Sequence, residues 1–348
     1  MEYGTNIQGG RTMPGIYDLK KIWHPAFYQG NLRKRRYFEG WYFKQVGPGL
    51  EHSLAVIPGI SLTDTDHHAF VQVINGENGQ TWYFRYPTDA FRFSKKNFAV
   101  SVAGNHFWSG GMELNLDSGN SRISGKLRFR EQTPYPATFK RPGIMGWYRY
   151  MPMMECYHGL VSLDHRIEGA LELDGKTADF TGGRGYIEKD WGRSMPLSWI
   201  WMQTNHFKQV ATSMMLSVAR IPWMGSSFTG FLGFLLYGGR LITFATHTGA
   251  RIIRLEHHGQ HTDILIRSRD FQLSVRGMRK ETPGSKGSLK APSEGLMQRI
   301  IHESLRAEIA VELSDKNGRV LFEEVGRKAG LEMVGDISLL RPGGRRDH

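Results

Sequence analysis

The sequence predicts an all-β protein made of two similar antiparallel barrels joined near residues 192–197. Three observations carry that expectation. Gly at 42 residues, with 12% aromatics, supplies turns and flat side chains beyond what a helical bundle needs. Short runs of β-branched and aromatic residues alternate with Gly, Asn, Asp and Ser along most of the chain. The pattern also begins twice: Ser198-Trp199-Ile200-Trp201-Met202-Gln203 echoes Gly40-Trp41-Tyr42-Phe43-Lys44-Gln45. Each copy leads into an apolar strand ending at Ile-Pro, Ile57-Pro58 and Ile221-Pro222, and then into a glycine-turned hairpin. The match is confined to a few positions, but a repeat of this length argues for a duplicated architecture.

Taken in order, the first half opens with a strand over Trp41 to Val46, then Ser53 to Ile57. Phe70 to Ile74 and Trp82 to Tyr86 flank the turn Asn75-Gly76-Glu77-Asn78-Gly79, a hairpin signal. Phe98 to Val102, Met112 to Leu116 and Ile123 to Phe129 continue a meander that closes into a barrel. Residues 133–152 hold Pro134, Pro136, Pro142 and Pro152 among Met145, Trp147, Tyr148 and Tyr150. This stretch reads either as an ordered loop over a cavity mouth or as a crossover between sheets. In the second half, Phe231 to Tyr237 and Leu241 to Ala245 flank Gly238-Gly239. One short helix is expected after Pro292-Ser293-Glu294, with Leu296, Ile300, Ile301 and Leu305 on one face. Strands over Ala307 to Leu313 and Val320 to Glu324 follow, turned at Asp315-Lys316-Asn317-Gly318.

Length and composition bound the function. At roughly 150 residues per domain, 348 residues fit two domains. Hydrophobic residues at 40% and charged residues at 22% fit packed cores rather than disorder. The net charge of +12 suits an anionic surface, yet no zinc spacing, RNP-like run or helix-turn-helix pattern marks a nucleic-acid module. The dense basic block, Arg33-Lys34-Arg35-Arg36, reads as a solvated loop or as a peripheral contact with anionic lipid. Cys156 stands alone, so no internal disulfide forms. Met1 to Pro14 is polar and no apolar run is long enough for a spanning helix, so a cytoplasmic protein, peripheral to membrane at most, is expected.

The chemistry concentrates in Gly183-Arg184-Gly185-Tyr186-Ile187-Glu188-Lys189-Asp190-Trp191-Gly192. In a strand, Tyr186, Glu188 and Asp190 share one face, with roughly 6.5–7 Å between alternate residues. Two carboxyls and a phenol then converge on one volume. If that volume is apolar, at least one carboxyl keeps its proton near neutral pH and can donate it to a weakly basic substrate. The competing reading is a solvated face paired with Lys189 and Arg193. Trp41, Trp191, Trp199 and Trp201 could tolerate a developing cation or simply fill cores. His158 could take a proton from a phenol, and Gln203 and Asn205 could orient a polar head group or satisfy backbone groups.

No metal or cofactor is expected. His67-His68 and His257-His258 are adjacent and face opposite ways on a strand, and His257 to His261 lies in strand-and-turn sequence. No phosphate loop, dinucleotide fingerprint or nucleophile elbow is present.

At these residues the chain resembles the tocopherol cyclase family. The resemblance rests on Phe38-Glu39-Gly40-Trp41-Tyr42-Phe43-Lys44, on Gly185 to Gly192, on Trp199-Ile200-Trp201-Met202-Gln203-Thr204-Asn205 and on Leu289-Lys290-Ala291-Pro292, and spans about Tyr37 to Leu340. It implies two tandem lipocalin-like barrels, related to carotenoid hydratase-type proteins. The resulting division is an N-terminal extension (1–36), barrels over 37–195 and 196–340, and a basic tail (341–348). It also implies a cofactor-free enzyme of the intramolecular lyase or isomerase type, acting on a hydrophobic isoprenoid such as a prenylquinol. Such enzymes protonate a prenyl double bond, and a phenol oxygen captures the tertiary cation. Water as nucleophile would give a hydratase, and no chemistry at all a lipid carrier.

On this reading Glu188, Tyr186, Asp190 and His158 are the catalytic candidates. Trp41, Tyr42, Trp191, Trp201, Gln203 and Asn205 are the candidates for substrate binding. The plant pattern carries an amide at the position of Asp190, which favours Glu188 as the donor. The run Met151 to His158 departs from the plant enzymes, and no plastid-type transit segment precedes Tyr37, as expected for a bacterial or otherwise untargeted chain.

Overall fold

The computed structural model describes residues 16–152, 154–223, 225–280 and 287–342. The polar stretch Met1 to Pro14 and the tail residues Arg345 and Arg346 lie outside them.

Strands dominate, in two antiparallel sheets. The first holds β1 Tyr37–Val46, β2 Ser53–Leu62, β3 His68–Asn75, β4 Thr81–Tyr86, β5 Phe91–Phe93, β6 Ala99–Val102, β7 Asn105–Trp108, β8 Gly111–Asp117, β9 Arg122–Arg130, β10 Cys156–Leu173, β11 Lys176–Asp179 and β12 Arg184–Gly192. The second holds β13 Trp199–Thr204, β14 Ser213–Trp223, β15 Ser226–Tyr237, β16 Arg240–Ala245, β17 Arg251–His258, β18 His261–Arg267, β19 Phe271–Met278, β20 Gly287–Ser293, β21 Leu296–Asp315 and β22 Val320–Val334. The orders are β4-β3-β2-β1-β12-β10-β9-β8-β7-β6-β5, with β11 beside β10, and β16-β15-β14-β13-β22-β21-β19-β18-β17, with β20 beside β21. In both, the opening strand pairs with the closing one. The two ends of each order are consecutive in sequence, β4 with β5 and β16 with β17, joined through short 3₁₀ turns. This is up-and-down barrel connectivity, twice, in the tandem lipocalin-like arrangement.

The chain divides into two compact units. The first takes the residues through Ile74, Thr81–Met195 and Lys290–Arg299; the second takes Asn75–Gln80, Pro196–Leu289 and the residues from Ile300.

In the first unit Trp41, Phe43, Ile187 and Trp191 point into the core with Val56, Val71 and Phe107. The N-terminal segment fills the same core. A short α1, Ile16–Lys20, leads into turns. Tyr17 stacks on Phe27 at 5.9 Å, Trp41 Nε1 donates to the Ala26 carbonyl at 2.8 Å, and Tyr28 packs on Phe91 and Phe93. At its centre Lys189 pairs with Glu39 at 2.5 Å, both 0% exposed. Lys189 also donates to the carbonyls of Pro25 and Phe27, while Glu39 accepts from the backbone of Gln29 and Gly30 and from Tyr37. The aromatic stretch 133–152 lies against this segment: Arg149 donates to Lys21 O at 3.1 Å and Gln29 Oε1 at 2.6 Å, and Trp23 stacks on Phe139. Because β9 and β10 are neighbours, it connects strands of one sheet and is no crossover.

Two expectations change. The helix over Leu296 to Leu305 is the first half of β21. Met297, Ile301, Glu303, Leu305, Ala307 and Ile309 are buried at odd positions, period two interrupted by the buried Ser304, while Ile300 is exposed. The chain turns at Glu294 and Gly295, both at positive φ, and pairing with neighbouring strands overrides the 3.6 spacing. The echo between Trp41 and Trp199 is also out of phase. In the second unit Ile200 and Met202 enter the core, and Trp199, Trp201 and Gln203 take the opposite face. A one-residue slip along a strand exchanges its faces.

Three members of the basic block are partnered within the first unit. Arg35 pairs with Asp64 at 3.1 Å, Arg36 with Glu294 at 3.7 Å, and Lys34 lies over the Tyr37 ring at 4.2 Å.

Candidate functional site

The site grows from β12 and its two neighbours. Alternation puts Tyr186, Glu188 and Asp190 on one face, as the sequence predicts, but that face points away from the hydrophobic core that holds Trp41 and Trp191, while Ile187, Lys189 and Trp191 point into it. Register supplies the flanks. Glu188 stands across from Tyr42 on β1 and from Leu160 on β10, and Asp190 across from Gly40 and His158. Directly opposed side chains on one face start about 4.5–5.5 Å apart at Cβ, so Glu188 begins between an aromatic ring and an aliphatic chain. Its side chain is 5% exposed.

Four polar groups link up. Tyr186 Oη donates to Glu188 Oε2 at 2.6 Å. His158 Nδ1 meets Asp190 Oδ1 at 2.9 Å, and its Nε2 lies 3.4 Å from Glu188 Oε2, an ion-pair distance. The backbone N–H of His158 reaches Met145 Sδ at 3.1 Å, and Cys156 Sγ lies 3.9 Å from Asp190. Burial alone would favour the neutral His158 ring, but the Asp190 and Glu188 carboxylates outweigh it and raise the imidazole to about 10. Burial, then the Glu188 carboxylate, hold the Tyr186 phenol well above its ordinary range, so it stays a donor. Burial raises the Cys156 thiol likewise.

Gly192 closes the strand at φ 151°, and a Cβ there would lie 2.1 Å from the Glu155 carbonyl oxygen. That close approach brings the start of β10 against the end of β12 and sets His158 beside Asp190.

The donor atoms of His158, Glu188 and Asp190 lie within 4.8 Å of one another, close enough to be weighed as a metal site. The ring orientation does not suit one. Its two nitrogens face two different carboxylates, and an imidazole binds a cation through a single nitrogen. Asp190 would then only orient the ring, leaving two direct ligands where metal centres use three or four.

The other predicted residues are placed differently. Trp41 and Trp191 face the core, opposite Glu188, and do not reach the acid. Their rings already carry cations: Lys189 Nζ sits 4.5 Å over Trp41 and 5.0 Å over Trp191, and Arg149 4.9 Å over Trp191. Tyr42 shares the Glu188 face. Trp201, Gln203 and Asn205 are buried in the second unit. There Trp199 Nε1 donates to Glu332 Oε2 at 2.6 Å.

Sequence reasoning passed over Glu332 and Glu303. In the second sheet Glu332 on β22 stands across from Trp201 on β13 and from Glu303 on β21, the strands that correspond by order to β12, β1 and β10. The run Gly330-Leu331-Glu332, a Gly and a Glu on one face of a late strand, is the signal that could have found them.

Comparison with known proteins follows the same residues. Residues 120–335, which include β12 and β13, match a family model described as tocopherol cyclase-like. A rice (Oryza sativa subsp. japonica) protein described as probable tocopherol cyclase, chloroplastic, is 23% identical over 57% of this chain and 43% of its own length. A maize (Zea mays) tocopherol cyclase, chloroplastic, is 27% identical over 32% of this chain and 24% of its own. The chain thus matches less than half the length of these relatives. Among solved structures, CghA superposes with TM-score 0.54 at 10% identity, covering 86% of this chain and 89% of that one. Its complex with Sch210972 gives 0.52 at 11%. These likenesses concern the fold.

Proposed function

The chain belongs to the tocopherol cyclase-like family, and on that premise we propose that it protonates an isoprenoid double bond with the Glu188 carboxyl and lets an oxygen nucleophile capture the cation. The carrying observation is the Glu188 side chain: 5% exposed, set between Tyr42 and Leu160, and hydrogen-bonded by Tyr186. Tyr186 donates to Oε2 and steadies the carboxylate left after transfer. The Tyr42 ring, next to Glu188, offers a π-face to the developing cation, the part the sequence had given to Trp41, Trp191 and Trp201. The substrate class is a prenylated hydroquinone, whose phenol closes the ring; the reaction is redox-neutral.

The test is turnover of prenylated hydroquinones in D₂O. Wild type incorporates one deuterium at the protonated carbon. Glu188→Gln, with its fold intact by circular dichroism, loses on the order of 10²–10⁴-fold in rate, the range of a positioned proton donor. Full turnover by Glu188→Gln sinks the assignment. Oxygen-18 from solvent in the product would make the nucleophile water and the reaction a hydration.

A further inference from the structure

We propose that the aromatic loop over residues 133–152 is a membrane-docking surface whose partner is a bilayer carrying anionic lipid. Backbone geometry builds its tip. Thr138 and Arg141 exchange N–H···O hydrogen bonds in both directions, at 2.8 and 3.1 Å, which closes a two-residue turn with Phe139 and Lys140 at its end. The Phe139 ring is 77% exposed. The 3₁₀ turn Gly146–Tyr150 adds two more rings. Such a turn repeats every three residues, so Trp147 and Tyr150 eclipse on one side of it. They are 47% and 41% exposed, while Gly146 is buried and Arg149 reaches inward to the Lys21 carbonyl. Tyr150 Oη donates to the Phe139 carbonyl at 2.6 Å and ties the two turns together, and Trp23 stacks on Phe139 at 6.2 Å. Beneath the rings, Ile144 and Met145 are buried and anchor the loop.

Single exposed rings are ordinary, but three held together on one built surface mark a place of contact. Charge selects the partner. Lys140 and Arg141 are exposed beside Phe139, and residues 132–154 hold no Asp or Glu. The rings stand on a turn that projects into solvent rather than in a groove. Aromatic rings settle at headgroup depth in a bilayer, and flanking cations meet lipid phosphates there. The sequence had placed lipid contact at Arg33 to Arg36, where Arg35 and Arg36 are paired with Asp64 and Glu294. The inference does not depend on the proposed reaction. It complements it, because an isoprenoid quinol dissolves in bilayers and the inner side of the loop touches the candidate site, where Met145 Sδ accepts the His158 backbone N–H at 3.1 Å.

The experiment floats the full chain with vesicles of phosphatidylcholine mixed with phosphatidylglycerol, and with vesicles of phosphatidylcholine alone. Wild type should bind the anionic vesicles more tightly and leave them as salt is raised. Phe139→Ser with Trp147→Ser, its fold intact by circular dichroism, should weaken binding about tenfold or more. Lys140→Gln should weaken it about fivefold. Binding that survives these variants, or that is lost only with Arg33→Gln and Arg35→Gln, overturns the proposal. If the double serine variant fails to fold, vesicles with brominated acyl chains take its place. They should quench the tryptophan emission of wild type and quench Trp147→Phe less; equal quenching in the two overturns the proposal. A concentration-dependent dimer that Phe139→Ser dissolves would give the rings to a second copy of the chain, and overturns it too. None of these measurements uses turnover, so failure of the docking surface and failure of the proposed reaction are separate results.

Discussion

Lys189 and Glu188 are neighbours in sequence with opposite duties, and strand alternation alone separates them. Lys189 holds the N-terminal segment through Glu39, with burial lowering its amine to about 8 against the pull of that carboxylate. Removing one member of a buried ion pair strands the other, at about 3–5 kcal/mol. Lys189→Met should therefore cost that much in urea unfolding, and Glu39→Gln with Lys189→Met should recover most of it. Equal losses in the single and double variants would contradict the pairing. His158 gives a pH signature. Its folded value, about 10, stands above the ordinary 6.5, so its contribution to stability is complete below about 6.5 and drains away as pH rises through 10. The slope is at most about 1.4 kcal/mol per pH unit for one proton. Lys189 runs the other way above pH 8, so the check is the gap between wild type and Asp190→Asn, which should narrow from pH 7 to pH 10. At this scale the shared face of Tyr186, Glu188 and Asp190 was legible, because it needs only alternation. The partnership of Asp190 with His158 was not, since it depends on the register of a strand 32 residues away. Trp191 was assigned to the acid although the same alternation turns it inward.

At the scale of elements, β12 is fixed from both sides, by β1 and β10, and its end is set by Gly192. Gly192→Val would push a side chain against the Glu155 carbonyl and displace the first residues of β10. The expected result is a lower melting temperature together with a shifted His158 imidazole resonance. A variant that melts lower with His158 unmoved would separate strand closure from site geometry. The misread helix is instructive here. Leu296, Ile300, Ile301 and Leu305 satisfy a helical stripe, yet Ile301, Leu305, Ile309 and Val311 also satisfy a strand over a longer window. Length decides between them, and β21 runs twenty residues.

At the scale of the whole chain, the doubled strand order was legible from the two Trp-rich openings, and the composition of the units was not. The segment Lys290–Arg299 belongs to the first unit through contacts remote in sequence: Gln72 brackets Lys290 in both directions at 2.9 and 2.8 Å, and Ser61 donates to Gly295 O at 2.6 Å. The N-terminal segment, expected as an extension, is core to that unit. Deleting residues 1–30 should therefore strip hydrogen-exchange protection from β1 and β12 while β13 to β22 keep theirs. Uniform loss across both sheets, or none, would show that the segment is not a core element of its unit.

The offset between Trp41 and Trp199 carries over to engineering and to evolutionary comparison. Laying one half on the other by best letter match pairs an inward ring with an outward one throughout the opening strands. A hybrid made by swapping those cassettes at matched letters would send Trp199 and Trp201 into a core shaped for Trp41 and Phe43 and turn Ile200 and Met202 out of it. Shifting the splice by a single position should rescue it, because it restores the facing of each ring.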